Sequence, residues 1–113
     1  MAESKIKIDN VINGTLAVNI EGGLASNVSS VRSCGRNGIL QIDCSKTSGF
    51  TAESWNTIYT SSIKPKYRIN VMIYWGSDYA LIEFRTDGTV QIYPYVKAFG
   101  GFVRTIIPFF VAD

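Results

Sequence analysis

The residues able to do chemistry in this chain are few. Glu83 and Asp87 are the one pair of carboxylates close enough in sequence to suggest acid–base work. Glu83 has Arg85 beside it on the same strand face, and Asp87 occupies a Thr-Asp-Gly turn, a position that suits its side chain without any catalytic role. Histidine is absent, which removes the commonest general base and the commonest metal ligand. The two cysteines, Cys34 and Cys44, belong to no CxxC or Cys/His cluster, so no zinc site is expected. No GxSxG, GxGxxG, Walker or calcium-loop pattern occurs. The expectation is a protein that is not an enzyme and needs no metal or cofactor.

These residues must be held by strands. Fourteen Ile, nine Val and eight Thr stand against four Leu and seven Ala, and β-branched side chains fit a pleated sheet better than a helix. Several windows alternate apolar and polar residues, and none shows sustained helical spacing. With 113 residues there is room for one domain. The expected class is all-β, an antiparallel sandwich or barrel of eight or nine short strands. The net charge of +2 offers no footprint for nucleic acid or an anionic membrane. No apolar run is long enough to span a bilayer, and Met1–Lys5 lacks the order of a signal peptide.

Turn residues set the registers. Asn37-Gly38 predicts a hairpin that pairs Val31 with Cys44 and keeps the two cysteines apart, as two buried thiols without a disulfide. Gly76-Ser77 predicts a second hairpin with Ile69 opposite Phe84, Val71 opposite Ile82 and Ile73 opposite Ala80. At Thr86-Asp87-Gly88, only a three-residue loop with Gly88 left-handed sets Phe84 against Val90 and Ile82 against Ile92.

The same registers fix the outward side chains. One end of that three-stranded face gathers Met72, Tyr74, Tyr79, Leu81, Tyr93 and Tyr95, four of the six tyrosines. Such a patch marks an interface or a binding surface, unless loops or the N-terminal segment cover it. The final run, Ile106 to Ala112, is apolar on both faces, and a subunit contact through Phe109 and Phe110 would explain it. Pro108 suggests a bulge or an edge position there.

The segments Trp55-Asn56-Thr57-Ile58, Lys64-Pro65-Lys66-Tyr67 and Ala80 through Tyr93, with Asn37-Gly38-Ile39-Leu40-Gln41-Ile42 before them, resemble the C-terminal head domains of tailed-bacteriophage receptor-binding, tail-fibre and baseplate proteins. The likeness covers roughly residues 24 to 113, through order and spacing; Lys64 stands where the pattern usually has Arg. It implies a jelly-roll-like sandwich at residues 22–113, a connection to a fibre or shaft at residues 1–21, a homotrimer, a place at the virion tail tip, and a saccharide of the host cell wall or surface as ligand. Trp75, Asp78, Tyr79 and Tyr95 are the expected glycan-binding residues, since sugar C–H faces stack on aromatic rings and hydroxyl pairs suit a carboxylate. Trp75 equally continues the inward series Ile69, Val71, Ile73 and would then cap the core. Competing expectations are a structural oligomerisation module of a fibre or baseplate, and a monomeric bacterial carbohydrate-binding module.

Overall fold

A computed structural model describes residues 10–95 and 102–113. The strand expected at Lys5–Ile8 and the loop at Phe99–Gly101 lie outside the described residues. Among the described residues ten strands follow one another: β1 (Val11–Asn13), β2 (Leu16–Val18), β3 (Ser26–Asn27), β4 (Ser30–Cys34), β5 (Asn37–Ser45), β6 (Asn56–Ser61), β7 (Ile69–Trp75), β8 (Asp78–Phe84), β9 (Thr89–Pro94) and β10 (Val103–Phe110). They form two antiparallel sheets, and the described residues contain no helix. The first sheet runs β1-β4-β5-β10, with β3 also on β5; the second runs β2-β6-β9-β8-β7. In the second, β7, β8 and β9 meander while β6 returns beside β9, which is a Greek key. The all-β sandwich expected from composition is the fold observed.

Alternation explains the core between the sheets. Val31, Leu40, Ile42 and Cys44 face inward from β4 and β5, and Val103, Ile107 and Phe109 from β10. Ile58, Tyr59, Ile73, Ala80, Ile82, Phe84, Val90 and Ile92 meet them from the second sheet. Phe50 plugs the loop edge and is fully buried. Each such aliphatic or aromatic side chain contributes about 1.5–3 kcal/mol relative to exposure. Both predicted registers of the β7–β8–β9 meander are observed, including Val71↔Ile82 and Ile82↔Ile92. Gly88 has φ +92°, and its N–H closes the loop on the Arg85 carbonyl at 2.9 Å.

Several expectations are corrected. The first hairpin turns at Gly35-Arg36 rather than Asn37-Gly38, so Val31 pairs with Leu40. Gly35 supplies the positive φ of 59° that the turn needs. Gly38 is instead a strand residue opposite Phe109, whose ring occupies the space a Cβ would fill. Cys34 is exposed at the hairpin end, Cys44 is buried, and the two form no disulfide.

Phe109 was expected at a subunit contact, but it is 5% exposed and packs edge-on against Phe84, with centroids 5.0 Å apart. Only the alternate face of β10, with Ile106 and Phe110, is open. Asn13-Gly14 carries the chain from β1 in one sheet to β2 in the other. β1 thus pairs with β4 at one sheet edge and β2 with β6 at the other. Ala25 to Cys34, which alternation and the Asn37-Gly38 signal would make one strand, is broken at Val28-Ser29 into β3 and β4. Ser29 Oγ accepts the Asp43 N–H and meets the Tyr59 hydroxyl at 2.7 Å, and that hydroxyl donates to Asn27 Oδ1 at 2.7 Å. This network satisfies the polar groups that the break leaves beside the core.

Candidate functional site

The site is built on the outer face of the second sheet. Tyr74 on β7 stands opposite Tyr79 on β8, and Leu81 stands opposite Tyr93 on β9. Tyr95 follows β9 directly and is tied in by its N–H to the Tyr79 carbonyl at 3.2 Å. The rings run in a continuous chain. Centroids are 6.4 Å apart for Tyr74–Tyr79, 5.3 Å for Tyr79–Tyr95, 5.1 Å for Tyr95–Tyr93 and 5.2 Å for Tyr93–Trp55. Tyr79 and Tyr95 are nearly parallel at 25°, whereas Tyr93 meets Tyr95 at 61° and Trp55 at 59°. Tyr74, Tyr79, Tyr95 and Trp55 are all exposed, while Tyr93 is half-buried between them.

Trp55 joins the strip although strand alternation does not predict it on this face. It precedes β6 at the end of a loop fastened by Asn56. The Asn56 amide donates to the carbonyls of Thr51, Ser54 and Ile92, and its oxygen accepts the Thr51 N–H. Within that loop Glu53 takes φ 54°, sparsely populated for a residue with a Cβ, and its N–H is held by the Pro94 carbonyl at 2.7 Å. Backbone strain offset by such ties fixes a ring in advance of any ligand.

Beyond Trp55 the strip ends in polar groups. The Arg85 guanidinium lies 5.6 Å from the Trp55 ring centroid, and its Nε donates to Glu83, whose carboxylate is buried. Gln91 donates to Thr57 Oγ1 at 3.0 Å, and its own side-chain oxygen is buried with no partner among the described residues. Exposed rings backed by fixed donors suit a ligand with apolar faces and hydroxyls. Comparison with family models, curated proteins and solved structures finds no match.

The expected glycan-binding set divides. Tyr79 and Tyr95 come together as the stacked centre of the strip. Asp78 pairs with Trp75 across the turn, half-buried and in the alternate series with Ala80 and Ile82 rather than with Tyr79. The Trp75 side chain lies outside the described part of the structure. The expected interface set divides as well: Met72, Tyr74, Leu81 and Tyr93 share the face of the strip, Phe110 is exposed on the other sheet, and Phe109 lies between them in the core. Near Phe110, a largely apolar cavity of about 490 Å³ opens between Ile39, Tyr67, Ile69 and Pro108 over the Phe109 ring. No group of Cys, Asp and Glu among the described residues is arranged to hold a metal ion. No helix among them is long and apolar enough to cross a membrane.

Proposed function

We propose that this chain is a non-catalytic adhesion domain that binds a saccharide on the aromatic strip of its second sheet. The reading follows the resemblance to phage tail-tip head domains, and places the domain at the tail tip of a virion with a host-surface glycan as its receptor. One observation carries it: the run of rings from Tyr74 to Trp55, open to solvent and ending in the Arg85–Glu83 pair. Pyranose C–H faces stack on such rings, and Arg85 and Thr57 offer hydrogen-bonding groups for hydroxyls. The test is a glycan array with the wild type and Tyr79→Ala. Retention of a glycan class by the wild type, weakened about tenfold in the variant, is the expected result. No retained glycan at micromolar protein would refute the reading.

A second reading, a structural oligomerisation module, draws on the other sheet. Ile106 and Phe110 are exposed on β10 beside Ile39 of β5, an apolar surface that a second copy would cover. The two readings are compatible in a trimer whose subunits meet through the first sheet and bind ligand on the second.

A further inference from the structure

We infer, resting on the saccharide reading above, that the strip takes an extended, uncharged oligosaccharide, with alternate sugar units stacked on Trp55 and on the Tyr79–Tyr95 pair. Spacing is the first ground. Two centroid steps of 5.2 and 5.1 Å lead from Trp55 through Tyr93 to Tyr95, each close to the length of one pyranose along a chain. The middle ring differs from its neighbours: Tyr93 is half-buried and steeply inclined to both, so it floors the strip instead of offering a platform. One step crosses from the start of β6 to β9 and the other runs along β9, so the path turns and the outer platforms stand at most two sugar lengths apart. In an equatorially linked chain successive pyranoses turn over, so every second unit presents the same C–H face. A monosaccharide would engage one platform; a trisaccharide has the reach to engage both.

Charge is the second ground. Beside the Trp55 ring, Glu83 on β8 and Arg85 just beyond its end neutralise each other. Arg85 is held against the Trp55 ring by that same carboxylate, so it is a directional donor more than an open anion site. Preorganisation is the third: the Asn56 clamp and the strained Glu53 loop hold Trp55 in place, which lowers the ordering cost of binding.

The experiment is a calorimetric titration of the whole chain with cello- and chito-oligosaccharides from monomer to hexamer, and with fragments of any glycan retained on the array. Affinity should rise about tenfold from disaccharide to trisaccharide and gain little with further length. Trp55→Ala should abolish that step while leaving disaccharide affinity within about twofold. If Trp55→Ala fails to fold, Tyr95→Ala tests the step from the other platform. Equal affinity for a monosaccharide and a tetrasaccharide would overturn the inference and leave the saccharide reading standing. So would a fall of about tenfold between low and high salt, the sign of an acidic glycan. Failure of every glycan to bind would instead remove the reading on which the inference rests.

Discussion

At the scale of single residues, Gly38 and Phe109 form one unit. The ring lies over a glycine that has no Cβ to displace it. Gly38→Ala should therefore cost about 1–3 kcal/mol by overpacking, read as a lower midpoint in urea denaturation. The thiols should separate cleanly by reagent access: Cys34 modified in the native protein and Cys44 only after unfolding, with two reactive thiols per chain in denaturant. Cys44 and Tyr59 also set a pH limit. Burial pushes the Cys44 thiol above its ordinary 9.0 and the Tyr59 phenol above its ordinary 10.0. Below those values both the folded and unfolded chains hold these protons, so the contribution is constant. Above them the unfolded chain releases its protons first, so stability falls as pH climbs toward the folded values. A series of urea midpoints should drop from pH 9.0 upward, and more shallowly above 10.0 in Tyr59→Phe. By contrast, Thr89 donates to Asp87 through its hydroxyl and its N–H and holds that exposed carboxyl below its ordinary range.

Strands and turns differ in how far the chain announces them. Gly76 and Gly88 both have positive φ, at 60° and 92°, but an alanine at Gly76 meets open space while one at Gly88 would sit 2.5 Å from the Ser61 carbonyl. Gly76→Ala should cost about 1 kcal/mol and Gly88→Ala about 3 kcal/mol, a difference that thermal or urea unfolding resolves. The meander was legible because shifting either register by one residue would turn every apolar side chain outward. The first hairpin was not, since its two possible turns differ by an even offset that leaves Val31, Leu40 and Ile42 inward either way. Phe109 resolves that ambiguity by requiring Gly38 within a strand, and it lies far along the chain. Alternation does not put Trp55 on the tyrosine face, for a related reason. β6 shifts register between Thr57 and Tyr59, so Ile58 and Tyr59 are both buried. Counting back by twos from Tyr59 would send Trp55 into the core. The tyrosine patch could be foreseen from alternation alone; the residue that extends it could not.

For the whole molecule, the two phenylalanines at the end of β10 separate folding from assembly. Phe109 is 5% exposed and Phe110 60%. Phe109→Asp should unfold the chain, because an unpaired carboxylate in the core costs several kcal/mol. Phe110→Asp should leave the fold intact and convert a species of three chains into one of 12.5 kDa by light scattering. A wild type already at 12.5 kDa at micromolar concentration would exclude the trimer. The crossover at Gly14 has a mechanical consequence. β1 and β2 each pair over three residues, at the edge of different sheets, with Gly14 passing between them where a Cβ would come within 2.8 Å of Val31 and Ile63. Tension applied at Asn10 thus enters through a short ladder on one sheet and, when that yields, passes to an equally short ladder on the other. The strap would give way in two small steps and shield β6 to β9 from the load, so a pulled molecule would lengthen before it lost the face that carries the aromatic rings.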